Sequence, residues 1–182
     1  MNKIDMIHSF VSVKISELCD DTNWAKYTLA KLRRGIGKIP GEVPELYEIT
    51  LGGLSKELAG GNAPSTAEYA IYSTLTMYAL NKTGMDNEPH KTGGDSFGQA
   101  VRKLVMIDNS SERLIRIRFN AAITASDMPG FSYHAHRLVK AFKSNMPAIR
   151  LDYPQFAVDL YKLYSENTKK EVLYKWTSDL VN

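Results

Sequence analysis

Cysteine is almost absent from this chain of 182 residues, with Cys19 standing alone. A single cysteine excludes an internal disulfide and fits a reducing, cytoplasmic compartment. Asp20 and Asp21 follow it directly, and carboxylates beside a thiol disfavour the thiolate, which makes Cys19 a poor nucleophile. Long apolar runs are lacking too. No segment approaches membrane-spanning length, and Lys3, Asp5, His8 and Lys14 interrupt the region where a signal peptide would need an apolar stretch. The expectation is a soluble, cytoplasmic protein without membrane contact.

Catalytic signatures are equally scarce. The chain has no H-E-x-x-H, C-x-x-C, G-x-S-x-G or D-x-D motif, and no carboxylate pair stands out as an acid and base couple. The run from Arg34 to Lys38 resembles a phosphate loop only in outline, because G-x-x-x-x-G-K-[ST] would need glycine at Leu32 and Ser or Thr at Ile39. His134 and His136 are two residues apart, which on a helix turns them about 200° from each other, so they cannot share a metal. No enzyme, no cofactor and no metal site is expected.

Acidic residues are missing from two stretches, and there the sequence becomes informative. Between Lys26 and Lys38 there is no Asp or Glu, while Lys31, Arg33, Arg34 and Lys38 gather. From Phe131 to Arg150 the only charges are basic, including Arg137, Lys140 and Lys143. Between these lies a third cluster, Arg102, Lys103, Arg113, Arg116 and Arg118, opposed only by Asp108 and Glu112. The net charge of +3 conceals this segregation. Clustered cations on a helical frame suit a polyanion; three ordinary solvated helix faces are the plainer alternative.

Apolar residues recur at helical spacing almost throughout, and runs alternating with a period of two are hard to find, so the predicted fold is all-α. Helices are expected over 4–18, from Thr22 to Gly35, and over 44–51. Ser65 and Glu68 form an S-x-x-E capping box for a long, largely apolar helix to about Lys82, the expected core helix of the first half. Further helices are expected over 96–107, 110–125, 131–145, 152–165 and 168–180, the last with a second capping box at Thr168 and Glu171. The Gly- and Pro-containing stretch before Ser96 reads as a linker. This divides the chain into an N-terminal helical lobe (1–83), a linker (84–95) and a C-terminal helical lobe (96–182), each a small bundle.

On the helix from Phe131, one side carries Phe131, Ala135, Leu138 and Phe142, and the opposite side carries His136, Arg137, Lys140 and Lys143. Like charges at such spacings repel by a few tenths of a kcal/mol, about 0.2–0.5 per pair, so an unpaired cationic face favours an anion. In the preceding helix Arg113 and Arg116 share a face with Asn120, whereas Arg118 lies nearer the apolar side and reads equally as an internal ion-pair partner. The free amides at the helix start Ser96-Phe97-Gly98-Gln99, ahead of Arg102 and Lys103, could help hold a phosphate. Tyr153, Phe156, Tyr161, Tyr164, Tyr174 and Trp176 recur at helical spacing and read as core or partner contact.

Several segments together resemble the small subunit of the type I-E CRISPR Cascade complex, the CasB family. They are L-R-R-G-I-G-K-I-P-G-E-V-P-E-L (32–46), S-F-G-Q-A-V-R-K-L (96–104), R-I-R-F-N-A-A-I-T-A-S-D (116–127), H-R-L-V-K (136–140) and L-D-Y-P-Q-F-A-V-D-L (151–160). The resemblance covers most of the chain. It implies a non-catalytic protein of two helical lobes, present in two copies beside the backbone and large subunits of a crRNA-guided particle. It further implies a role in holding target DNA or the displaced strand of an R-loop. Arg33, Arg34, Arg102, Arg116 or Arg118, and Arg137 match the family's basic surface, and Lys38, Lys103, Lys140 and Lys143 extend it by position alone. Two other readings stay open, a free-standing DNA-binding regulator and a helical protein-interaction adaptor.

Overall fold

Side chains able to close a helix start decide most of the boundaries in the computed structural model, which describes residues 2–182. Among the described residues there are nine α-helices and one short strand: α1 (Lys3–Leu18), α2 (Asn23–Leu32), α3 (Pro44–Leu51), α4 (Thr66–Lys82), β1 (His90–Asp95), α5 (Phe97–Ile107), α6 (Glu112–Ile123), α7 (Met128–Ser144), α8 (Tyr153–Leu163) and α9 (Lys169–Val181). The fold is all-α in substance, as the periodicity predicts. No helix among the described residues is long and apolar enough to cross a membrane.

Thr22 accepts a hydrogen bond from the Ala25 amide and starts α2. Ser65 and Glu68 form the predicted capping box, and the buried Glu68 carboxylate also accepts the Gly60 amide at 2.8 Å, pinning the preceding loop. Asp127 caps α7 through the Gly130 amide with Pro129 in the first turn, so α7 begins at Met128, ahead of the expected Phe131. The second expected capping box does not form. Thr168 has φ −119° and ψ −5°, makes no cap hydrogen bond, and donates its hydroxyl to the Lys162 carbonyl instead.

Every residue of α4 from Ala70 to Asn81 is buried. A helix can be enclosed on all sides only if neighbours cover it all round, and α1, α2 and α3 do so from one half of the sequence while α7 and α8 do so from the other. The core helix expected for the first half therefore serves both halves. α1 also packs on α8, and one apolar cluster runs from Ile7 to Leu180.

The expected linker is partly an ordered edge. Asp95 donates its amide to the Arg150 carbonyl at 2.8 Å and accepts the Asp152 amide at 3.2 Å. Gly93 has φ +64°, a left-handed conformation suited to glycine, and its amide donates to the Asp152 carboxylate at 2.8 Å. Periodicity missed this strand because His90-Lys91-Thr92-Gly93-Gly94-Asp95 buries no alternating apolar side chain; it is held by polar bonds, among them the Arg150 guanidinium donating to the His90 carbonyl at 2.9 Å.

Phe97 lies at the centre of the second half, its ring centroid 5.1 Å from Trp176, 5.4 Å from Phe131, 5.7 Å from Phe156, 5.8 Å from Phe119 and 6.1 Å from Phe142. Beside it, a Cβ on Gly98 would stand 2.2 Å from the Trp176 carbonyl oxygen, so α5 and α9 approach at backbone distance. The buried Asp159 carboxylate accepts the Trp176 indole N–H at 3.0 Å and the Lys175 ammonium at 3.0 Å. Of the aromatics read as core or partner contact, Tyr153, Phe156 and Trp176 are buried, while Tyr174 is 79% exposed. Replacing Phe97 by Ala removes the ring that five others surround, and a loss of about 3–5 kcal/mol is expected. Equilibrium denaturation checks it, and a loss below about 1 kcal/mol contradicts the central placement.

Candidate nucleic-acid interface

Gly35 sets the first half of the site. Arg33–Gly35 continues α2 as a 3₁₀ turn, and Gly35 is buried against α4. A Cβ there would lie 2.5 Å from the Tyr72 hydroxyl and 2.9 Å from Leu46 and Thr76, so only glycine lets the turn seat so closely. Burial, followed by the charge of Glu42, pushes the Tyr72 hydroxyl up to about 12. With the backbone seated, Arg33 and Arg34 stay exposed at the end of α2.

The second half comes from α7. Its apolar side, Phe131, Ala135, Leu138, Val139 and Phe142, is buried against α4 and α6, leaving Tyr133, His134, Arg137 and Lys140 exposed. Both halves meet in an open cleft of about 530 Å³ lined by Ala30, Arg33, Arg34, Ile36, Leu80, Tyr133, His136 and Lys140. Cations roughly a hundred residues apart in sequence thus share one wall. Lys143 lies next to them and donates to the Thr83 carbonyl. Burial first, then the charges of Arg33 and Lys140, hold the Lys143 ammonium below the ordinary lysine range.

The other basic residues divide into paired and unpaired. Lys31 meets Glu45 at 2.9 Å and lies 4.5 Å over the Tyr27 ring; hydrogen bonds to Tyr27 and then Glu45 raise its pKa. Arg34 is 3.6 Å from Glu45, Lys38 pairs with Glu42 at 2.6 Å, Lys103 with Asp95 at 2.8 Å, and Arg116 with Glu112 at 2.7 Å. Glu42 and Glu45 lie just beyond the acid-free stretch in sequence, yet the turn folds them back onto it. Arg33, Arg102, Arg113, Arg118, Arg137, Lys140 and Lys143 have no carboxylate partner among the described residues. Arg118 is half-buried, and the internal ion pair considered for it is not formed.

One further expectation is altered and another holds. At the α5 start the capping box takes two of the amides, and a carboxylate closes on it: Gln99 accepts the Ser96 amide, Ser96 accepts the Gln99 amide, and the Ser96 hydroxyl donates to Asp179 at 2.5 Å. A carboxylate at that position repels an anion. Burial, Glu88 and Asp20 together push the Cys19 thiol up, in the direction the sequence predicts.

The sequence reading passed over Tyr133. It is 65% exposed, lines the cleft, and its ring centroid is 5.3 Å from that of His134 and 5.9 Å from that of His136. The signal was present, because Tyr133, Arg137 and Lys140 recur at spacings of four and three along one helix.

The sequence model of the family of CRISPR-associated protein Cse2 matches residues 28–180. Among solved structures, CasB from Thermobifida fusca superposes with a TM-score of 0.76 at 24% identity, covering 97% of this chain and 98% of that one. CasB from Thermus thermophilus superposes with a TM-score of 0.68 at 18% identity, covering 100% and 99%. At these identities the likeness is one of fold. Comparison with curated proteins found no match.

A half-buried lysine that carries charge beside other cations costs stability most while it is protonated. Stability should therefore rise as pH climbs from below the Lys143 pKa towards the unfolded lysine value, because the unfolded chain then binds more protons than the folded one. Removing one neighbouring charge with Arg33→Gln should move the Lys143 titration upward, read from its side-chain carbon shift by NMR. An unchanged midpoint would mean that Arg33 does not reach Lys143.

Proposed function

Because the chain belongs to the family of CRISPR-associated protein Cse2, we propose that it is the small, non-catalytic subunit of a crRNA-guided type I-E Cascade complex and holds nucleic-acid backbone on its basic surface. The observation that carries this reading is the cleft in which Arg33 and Arg34 from the first half meet Lys140 from α7, with Arg137 and Lys143 nearby and unpaired with acid. Gathering unpaired cations costs stability in isolation. Phosphates relieve that cost by replacing mutual repulsion with charge-assisted hydrogen bonds.

Lysine and arginine contacts to phosphate are indifferent to sequence, and specificity in this reading comes from guide pairing elsewhere in the particle. The partners are the backbone and large subunits, a second copy of this chain, crRNA and target DNA, with the target or displaced strand of the R-loop on the basic surface. Met106 and Ile107 at the end of α5 and Leu114 and Ile117 on α6 are exposed, which suits a neighbouring protein better than bulk water.

Purifying the tagged protein from its own cells at gentle salt should recover repeat-derived guide RNA with several stoichiometric protein partners; recovery of the protein with no such RNA would sink the assignment. In the assembled particle, the double variant Arg137→Glu and Lys140→Glu should weaken target binding while leaving the circular dichroism of the subunit unchanged. The salt dependence should also flatten by about 0.7 in logarithmic slope for each single-strand phosphate that the variant no longer neutralises. An R-loop of unchanged stability in that variant counts against the basic surface.

A further inference from the structure

The cleft that carries the basic surface also has apolar walls, and phosphates have no use for them. Tyr133 keeps 65% of its surface exposed although the apolar residues on the inner side of α7 are buried. Leu80 and Ile36 line the same space, and Arg33, Arg34 and Lys140 bring charge to its wall. The His134 and His136 rings lie within 6 Å of the tyrosine ring. A volume of about 530 Å³ is enough for a single base, small-molecule sites running from about 300 to 1,000 Å³.

We propose that this cleft is a stacking subsite for one unpaired nucleobase: Tyr133 provides the platform, and Arg33, Arg34 and Lys140 hold the flanking phosphates. The inference rests on the backbone-binding reading and narrows it to single-stranded nucleic acid. A base within a duplex is stacked on both faces and has none to offer Tyr133, whereas every unpaired base has a free π-face, whatever its identity. Stacking therefore adds affinity and strand selectivity without reading sequence.

The test uses the purified full chain at low salt and fluorescence anisotropy with three probes: a short oligothymidylate, the same strand with abasic sites through its middle, and a duplex of equal length. Tyr133→Ala should weaken oligothymidylate binding about tenfold or more, leave the abasic strand unaffected and preserve the salt slope, while Tyr133→Trp should keep the affinity. Tyr133 is exposed, so neither variant disturbs the core. Equal loss on oligothymidylate and abasic strands, no loss on either, or tighter binding of the duplex by the unaltered chain overturns the stacking subsite. The double variant Arg137→Glu and Lys140→Glu separates the two claims. If it weakens both strands while Tyr133→Ala changes nothing, backbone binding stands and stacking falls; if it weakens neither, or if the unaltered chain binds no probe, both fall.

Discussion

The enclosure of α4 from Ala70 to Asn81 is the constraint on which the rest of the structure depends. A helix buried along its length needs apolar faces from several directions, and no single half of this sequence supplies them all. α2 with its 3₁₀ turn and α3 cover part of it, α7 another part, and α8 with α1 the rest. Because α2 and α7 both seat on the same helix, the arginines that end the one and the lysine on the other line a single cleft. Gly35, too close to Tyr72 to carry a side chain, sets how near that approach can be.

Charge follows the same framework. Where an acid lies within reach, the fold uses it: Glu45 and Glu42 neutralise Lys31 and Lys38, Asp95 holds Lys103 while bridging β1 to Arg150, and Glu112 holds Arg116 one turn away. Surface pairs of this kind add little stability, but they remove cations from the pool available to an external anion. The unpaired cations left on and beside α7 and at Arg33 define the electropositive surface more narrowly than a count of lysines and arginines would. Lys143, its pKa depressed by burial and by Arg33 and Lys140, marks where their fields overlap.

Helix positions were legible because apolar spacing and cap residues act over one or two turns, and α3 and the capping box of α4 fall where their residues predict. Thr168 failed as a cap because its backbone is not in the extended conformation a cap needs, and its hydroxyl reaches back to the Lys162 carbonyl of α8, a contact between α8 and the start of α9 that no local pattern encodes. The α5 start failed as an anion site for a similar reason: Asp179, distant in sequence, arrives with α9 and takes the Ser96 hydroxyl. Part of the site was legible too. Arg137 and Lys140 stood on one face by spacing alone, and Tyr133 belonged with them by the same rule.

The sequence by itself determined the helical class, the segregation of basic from acidic residues and the exposed face of α7, because each depends on residues within a few positions of one another. Tertiary structure alone decided that Arg33 and Arg34 face Lys140, that Glu42 and Glu45 silence Lys31 and Lys38, and that an exposed tyrosine stands in the resulting cleft. Those outcomes depend on how several helices share the surface of α4. Packing of that kind is settled by the fit of side chains far apart in the chain, which local periodicity does not record.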